Sequence, residues 1–192
     1  MPPSPGTDSS DRAAEMRRLR DDLQRIGLRA DECVIVHSSF KSLGLEAGSP
    51  RDVIEALLAV LGEGGTLVMP TFTYSYAGAW NVEAFDPAAT PGKQNGVLTE
   101  VLRQWPGARR SGHPTYSVAA AGRHAERITA GKERASALGA GSSYDEAFQL
   151  GVKILLLGVG NNRNSMLHYA EEAAGLPYLD IPWRAFMGGV NL

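Results

Sequence analysis

The chain has 192 residues, of which 43% are hydrophobic and 21% are charged, a composition typical of one globular domain with a sizeable core. The formal net charge of -2 and the absence of a Lys/Arg run argue against a nucleic-acid partner. No apolar segment approaches the roughly 20 residues needed to span a bilayer, so no membrane association is expected. Cys33 is the single cysteine, so the chain cannot form an internal disulfide. Because the start of the chain also lacks an apolar secretory signal, the sequence predicts a cytoplasmic protein. Residues 1–12, rich in Pro, Ser and Gly, predict a flexible N-terminus, and residues 13–192 a single domain.

The first half of the chain predicts two helices that alternate with two strands. Apolar residues recur at helical spacing in SSDRAAEMRRLRDDLQRIGL, which starts at Ser9, and the β-branched segment ECVIVHSSF follows as a strand. In SPRDVIEALLAVLGEGG, Ser49 is a helix cap and Pro50 takes the first helical position. The second strand, GTLVMPTFTY, ends at Pro70.

The second half continues the alternation after a Gly/Pro/aromatic loop over residues 75–94. GVLTEVLRQWPG predicts a third helix, and RRSGHPTYSVAAAG predicts a turn followed by a strand. SSYDEAFQLG predicts a short helix in which Ser143 and Glu146 form a capping box. VKILLLGVG is apolar on both faces and predicts a central strand, and NSMLHYAEEAAG predicts the helix that follows it.

Alternating strands and helices indicate an α/β layered fold with a mixed or mainly parallel sheet. Ligands of such sheets lie beyond the carboxyl ends of the strands. Three polar clusters follow predicted strands, at residues 37–39, 71–73 and 161–164, and they are expected to converge there.

His168 is predicted to share a helix with Glu171 and Glu172. Residues three and four apart are neighbours on a helix, so a carboxylate there can hold the imidazole tautomer and stabilise the ring after proton uptake. The pattern is typical of a general base with an acidic partner. On spacing alone, acidic residues near the positive end of a helix and a half-buried histidine are the commoner interpretation.

The other polar residues do not form a recognisable catalytic set. Adjacent strand residues point to opposite faces, so His37 is badly placed to activate Ser38 as a nucleophile. The hydroxyls there suit an extended amide ligand or a phosphate, and they equally suit local backbone bonds. Arg109 and Arg110 could contact phosphates, although a solvated pair is commoner. The histidines and Cys33 lack metal-ligand spacing, and LGVGNN lacks the third glycine of a dinucleotide fingerprint, so no metal site is expected.

Four segments, taken in order, resemble the aminoglycoside 3-N-acetyltransferase family. They are VIVHSSFKSLG, VIEALLAVLGEGGTLVMPTFTYSY, FDPAATPGKQNGVLTEVLRQWPGARRSGHPTYSVAAAG and KILLLGVGNNRNSMLHYAEE. The resemblance runs from about Leu28 to Tyr178, and its most specific patterns are RSxHP and LLLGVGxxRNSxLHxAE. It implies a three-layer α/β/α sandwich with a central mixed, mainly parallel sheet and a deep cleft between cofactor and antibiotic.

The resemblance implies transfer of acetyl from acetyl-coenzyme A to the 3-amino group of a 2-deoxystreptamine aminoglycoside, which confers antibiotic resistance. The family's catalytic histidine falls on His168 and its acidic partner on Glu171. Transfer is expected to be direct, because the histidine can deprotonate the amine and no enzyme nucleophile is needed. Donors for the developing oxyanion are expected near Ser38 or Thr71. The positions that match the cofactor site are Ser38, Ser39, Ser42, Leu43, Gly44, Thr71, Ser111 and Pro114, and the candidate acceptor contacts are Tyr74, Asp145 and Glu172.

Family members usually continue for several dozen residues beyond Leu192, and that part contributes to the acceptor side. We therefore expect acetyl-coenzyme A binding with weak or absent acetylation by this chain. The apolar residues of DIPWRAFMGGVNL are expected to pack on the domain or on a second subunit of a homodimer. The alternatives are acetylation of another amine, a non-catalytic coenzyme-A-binding remnant, and a hydrolase using Ser38 or Ser39, which the strand geometry disfavours.

Overall fold

The computed structural model describes residues 9–73, 85–92, 95–133 and 135–176. Within these ranges no helix is long and apolar enough to cross a membrane. The helices are α1 (Ser9–Arg25), α2 (Pro50–Leu61), α3 (Val97–Arg103), α4 (Ala125–Thr129), α5 (Ser143–Gln149) and α6 (Met166–Ala173). The strands are β1 (Cys33–Ser38), β2 (Thr66–Pro70), β3 (Arg109–Arg110), β4 (Val118–Gly122) and β5 (Lys153–Leu157). Short 3-10 turns follow β1 at Phe40–Leu43 and β5 at Asn161–Arg163; these turns, α4 and β3 were not predicted.

The five strands form one mixed sheet in the order β3-β4-β2-β1-β5. β1 is parallel to β2 and β5, whereas β4 is antiparallel to β2 and β3. Because parallel strands end at the same edge, the residues that follow β1, β2 and β5 lie close together. The register places Ser38, the last residue of β1, opposite Leu157, the last residue of β5.

Helices cover both faces of this sheet. Val34 and Val36 of β1 pack in a core completed by residues of α1, α2 and α3, while Cys33 and Ile35 pack in a second core completed by α4, α5 and α6. The division follows from the period of two in a strand, which sends neighbouring side chains to opposite faces. Full burial of an aliphatic side chain such as Leu57 contributes about 1.5–3 kcal/mol, so both layers are held mainly by apolar contact. The three-layer α/β/α prediction is confirmed.

α1 is anchored to the segment between the first 3-10 turn and α2. Glu15 accepts hydrogen bonds from the backbone N–H groups of residues 46–48 at 2.6–3.0 Å. Arg12 forms an ion pair with Asp52, which also completes a capping box with Ser49, the predicted cap at the start of α2. The helix begins at Ser9 and thus includes residues 9–12 of the segment that was predicted to be flexible.

The cap of α5 differs from the prediction by one residue. Ser142, not Ser143, is the N-cap, and its Oγ accepts the backbone N–H of Asp145 at 3.1 Å. Two adjacent serines precede two adjacent acids, so the pattern alone leaves the register open. Ser142 has the extended backbone that a cap requires, whereas Ser143 is already helical.

The prediction that β5 is a central strand is wrong for the part of the chain that the structure describes. β5 pairs with β1 and forms the edge of the described sheet. Lys153 and Ile154 are exposed, with Ile154 at 44%, and the last three residues of β5 are only partly buried. An apolar run indicates that both faces of a strand are suited to burial. It does not indicate whether the strand has a hydrogen-bonded neighbour on each edge, which is what makes a strand central.

Candidate active site

A cleft of about 670 Å³ opens at the carboxyl ends of β1 and β5, a size usual for small-molecule sites. One wall is the end of β1 with its 3-10 turn, and a second is the segment 158–163 that follows β5. The start of α3, with Asn95 and Gly96, forms a third. Two of the three predicted polar clusters, residues 37–39 and 161–164, contribute to this cleft.

The turn after β1 brings several predicted cofactor residues together. Ser38, Ser39 and Ser42 line the cleft, and Ser42 Oγ donates to Ser39 Oγ at 2.8 Å. Leu43 belongs to the same turn and packs against the first core. Gly44 ends the turn with a φ of 64°, in the left-handed region that favours glycine. The turn thus presents hydroxyl groups to the cleft from a rigid, core-anchored support.

Gly158 is the point at which the end of β5 meets that turn. It has a φ of +73°, and a Cβ atom there would lie 2.9 Å from Ser42 Cβ and 3.0 Å from the carbonyl oxygen of Ser39. Both the backbone conformation and the close approach require glycine. The first glycine of the GVG segment therefore keeps two walls of the cleft in contact.

Thr71 lies beneath the site and does not reach the cleft surface. It is fully buried, and its Oγ1 contacts Ser117 Oγ at 2.9 Å and accepts from Arg110 Nε at 3.0 Å. Arg110 also donates to the Thr71 carbonyl at 2.7 Å and lies over the Phe85 ring. Arg110 thus holds the residue that follows β2 in place by hydrogen bonds. Its neighbour Arg109 forms an ion pair with Glu126 at 2.6 Å.

Ser111 and Pro114 are buried in the same region. Ser111 Oγ accepts the backbone N–H of Val118 at 2.9 Å, which holds the start of β4. The Pro114 carbonyl accepts the hydroxyl of Thr73, itself buried. Neither residue lies on the cleft surface, so any contribution to cofactor binding would come from supporting its wall.

His168 and Glu171 form the pair that their helical spacing predicted. His168 Nδ1 lies 2.9 Å from Glu171 Oε2, and their side chains are 48% and 32% exposed. An ionised carboxylate only accepts hydrogen bonds, so this contact assigns the proton of a neutral His168 ring to Nδ1 and the lone pair to Nε2. α6, which carries both residues, follows directly from the 158–163 wall of the cleft.

The candidate acceptor residues occupy different positions. Asp145 accepts the Tyr169 hydroxyl at 3.0 Å and the Gly141 backbone N–H at 2.7 Å, so it fastens α6 to the start of α5. The hydrogen bond from Gly141 and, more weakly, that from Tyr169 lower the pKa of Asp145 despite some desolvation. Glu172 is exposed and accepts the hydroxyl of Ser136 at 2.7 Å. Tyr74 lies outside the described residues.

The charge of the cleft favours an anionic ligand. Its described lining contains two cationic side chains, Lys41 and Arg163, and no carboxylate. In the ranges that the structure describes, no three His, Cys, Asp or Glu side chains converge as metal ligands. The cleft therefore suits a polar, negatively charged organic molecule more than it suits a polycation.

Comparison with known proteins identifies the family. A family model described as aminoglycoside 3-N-acetyltransferase matches residues 35–187. The chain belongs to the aminoglycoside 3-N-acetyltransferase family. Aminoglycoside N(3)-acetyltransferase IV from Salmonella sp is 39% identical over 157 residues, which cover 81% of this chain and 58% of that relative. The family resemblance predicted from the sequence is therefore confirmed.

Two solved structures of acetyltransferases share the fold. AAC-IIIb in its binary complex with CoASH has a TM-score of 0.75 and 31% identity, over 82% of this chain and 64% of that one. A histidine-to-alanine mutant of AAC(3)-IVa in complex with gentamicin has a TM-score of 0.73 and 36% identity, over 81% of this chain and 58% of that one. This family member thus spans less than two thirds of each of these relatives.

Several cleft residues of this acetyltransferase-family chain were not predicted. Asn95 joins the end of β2 to the start of α3, because its Oδ1 accepts the Phe72 backbone N–H at 2.6 Å. Gly96 follows with a φ of 92°. The Asn-Gly pair before a helical segment is a turn signal that could have indicated this position. Lys41 carries no comparable signal, since a single exposed lysine is ordinary.

Proposed function

We propose that this protein binds acetyl-coenzyme A in the cleft and transfers the acetyl group directly to the 3-amino group of a 2-deoxystreptamine aminoglycoside. The observation that carries the proposal is a cleft of cationic and hydroxyl character whose wall ends at Arg163, three residues before the first residue of α6, the helix of the His168–Glu171 pair. Neither His168 nor Glu171 is among the residues that line the cleft. The complex of AAC-IIIb with CoASH supports the cofactor. The complex of the AAC(3)-IVa mutant with gentamicin supports the class of acceptor.

The cleft chemistry matches the parts of coenzyme A. Its pantetheine arm is an extended chain with two amide groups, and the hydroxyls of Ser39 and Ser42 lie where they can bond such amides. Its phosphates carry negative charge, which Lys41 and Arg163 can balance. We place the pantetheine arm along the turn after β1, with the acetyl group directed towards α6.

His168 is proposed as the general base. An aminoglycoside amine is mostly protonated at neutral pH, and only the neutral amine can attack a thioester. The nitrogen of the neutral amine bonds to the thioester carbonyl carbon while His168 Nε2 takes one N–H proton from it. The carbon–sulfur bond then breaks, and the imidazolium gives that proton to the released coenzyme A thiolate. Glu171 stabilises the imidazolium that forms. A base positioned in this way typically contributes about 10²–10⁴-fold in rate.

The acceptor is proposed to approach from the exposed side of α6. His168 is half exposed there, and Glu172 is an exposed carboxylate on the same helix. A polycationic antibiotic would be attracted to such carboxylates. Tyr74 and Asp145 remain predicted contacts, and Asp145 also holds α6 through the hydroxyl of Tyr169.

Isothermal titration of the chain with acetyl-coenzyme A, compared with Ser39→Trp, tests the proposal. Saturable binding is expected for the wild type, and the bulky side chain in the cleft should weaken it. Ser9→Trp, which adds the same ring at the exposed start of α1, is the matched control and should bind normally. Absence of binding, or equal binding by all three proteins, would remove the basis of the proposal.

A further inference from the structure

His37 lies at the wall of the cleft on the side of the sheet that carries α6. It is the fifth of six residues in β1, lines the cleft and is 6% exposed. Cys33 and Ile35 pack in the core beneath α4–α6, and alternation along the strand places His37 on that same face. Ser38 therefore faces the opposite side. Of the histidine and serine of β1, His37 is therefore the one on the face covered by α6, the helix that carries His168.

The ring of His37 has an unmet hydrogen bond. Its Nε2 is buried and has no hydrogen-bond partner among the residues that the structure describes. The contrast is His113, another buried histidine, whose Nδ1 accepts the backbone N–H groups of Thr115 and Tyr116 at 3.2 and 3.0 Å. Buried polar side-chain atoms usually have a partner, because an unmet one destabilises the fold. Because His37 is also one of the residues that line the cleft, a bound ligand is the partner that we consider for this nitrogen.

We propose that His37 is a further catalytic residue, whose Nε2–H donates a hydrogen bond to the thioester carbonyl oxygen of acetyl-coenzyme A. The inference rests on the function proposed above. When the amine nitrogen attacks the carbonyl carbon, the π electron pair moves onto that oxygen, and its return expels the thiolate. A hydrogen bond to this oxygen strengthens as negative charge develops, and so accelerates the reaction.

The surroundings favour His37 over the hydroxyl that the sequence suggested. The Thr71 hydroxyl is fully buried and bonded to Ser117 and Arg110, so it is not placed to stabilise the oxyanion. Burial lowers the pKa of His37 to about 4, so its ring is neutral at physiological pH and one nitrogen carries a proton. A neutral donor also avoids repelling a polycationic acceptor, as a lysine or arginine at this position would do.

Three variants of the chain test the role of His37. His37→Leu removes the donor, and His37→Gln keeps an N–H at a similar reach. His124→Leu is a matched control, because His124 precedes α4 at the opposite end of the sheet, next to the first residue of β2. Coenzyme A release is measured with a 2-deoxystreptamine aminoglycoside, together with the dissociation constant of CoASH and the thermal unfolding midpoint.

We expect His37→Leu to lower kcat by about 100-fold, the usual loss for one oxyanion donor, and His37→Gln to recover at least about tenfold of it. The affinity for CoASH, which has no acetyl carbonyl, should change less than about twofold in both variants. The unfolding midpoint of His37→Leu should not fall, because the substitution removes an unmet polar group. Turnover near that of the wild type in His37→Leu, equal losses in both variants, or a loss matched by a lower midpoint would overturn the proposal.

An imidazole ¹⁵N spectrum of the unsubstituted chain separates this proposal from the function on which it rests. If acetyl-coenzyme A binds but no aminoglycoside is acetylated, the proposed acceptor is wrong, but the role of His37 can still be tested. Acetyl-coenzyme A should then shift the Nε2 resonance of His37 in the direction of a stronger hydrogen bond, and CoASH should not. Identical spectra with both compounds would overturn the assignment of His37.

Discussion

Replacing Gly158 by alanine tests whether the contact between β5 and the serine turn builds the cofactor site. An alanine at a φ of +73° is strained by about 1 kcal/mol. Its Cβ would also lie 2.9 Å from Ser42 Cβ, well inside the usual carbon–carbon contact distance of about 3.5–4.0 Å. The turn that carries Ser39 and Ser42 must therefore move, and such overpacking typically costs a further 1–3 kcal/mol or so.

Gly151 provides the matched control at the other end of the same strand. Its φ is +67°, yet a Cβ atom there would meet no other atom within 4 Å. Gly151→Ala therefore carries the backbone strain alone and should lower the unfolding midpoint by about 2–4 °C, whereas Gly158→Ala should lower it by about 4–16 °C. If the turn loses two ligand hydrogen bonds of about 1 kcal/mol each, the dissociation constant for acetyl-coenzyme A rises roughly 30-fold in Gly158→Ala alone.

Differential scanning fluorimetry and isothermal titration with acetyl-coenzyme A measure the two effects. Equal midpoints for Gly151→Ala and Gly158→Ala would show that the turn accommodates the extra carbon. Unchanged affinity in a Gly158→Ala protein with a lowered midpoint would show that the serine turn does not hold the cofactor.

Two other predictions follow from the described contacts. His168→Ala should lower turnover at least about 100-fold while leaving acetyl-coenzyme A binding intact; near-normal turnover would exclude it as the base. Burial raises the pKa of Asp52, but hydrogen bonds from Arg12 and Ser49 outweigh burial and hold it at about 2, against 3.8 for a free side chain. Its folded-state pKa is depressed, so the ionised carboxylate stabilises the fold above about pH 4, and this stabilisation is lost as the pH falls towards 2. The unfolding midpoints of the wild type and Asp52→Asn should therefore converge at low pH. A difference between the two midpoints that stays constant with pH would contradict this.

The sequence predicted those parts of the fold that depend on local patterns. Ser49 and Pro50 marked the start of α2 because capping and proline geometry act within one turn of helix. His168 and Glu171 were paired correctly because the helical period fixes their distance. The family resemblance then predicted the three layers as a whole.

The features that were predicted wrongly or not predicted depend on contacts between distant segments. The position of β5 at the edge of the described sheet is set by which strands pair, and its apolar residues carry no such information. Thr71 was expected at the cleft, but it lies beneath the cleft surface, where it is hydrogen-bonded to the guanidinium of Arg110. The unmet nitrogen of His37 is likewise invisible in sequence, because burial and the lack of a partner are properties of the assembled fold.

The central claim is tested most directly by coenzyme A release from acetyl-coenzyme A, measured for the chain with and without a 2-deoxystreptamine aminoglycoside and followed by mass spectrometry of the antibiotic. The account predicts slow release that requires the aminoglycoside, a single added acetyl group at the 3-amino position, and loss of both in His168→Ala. Release at the same rate without the aminoglycoside, or acetylation that persists unchanged in His168→Ala, would contradict it.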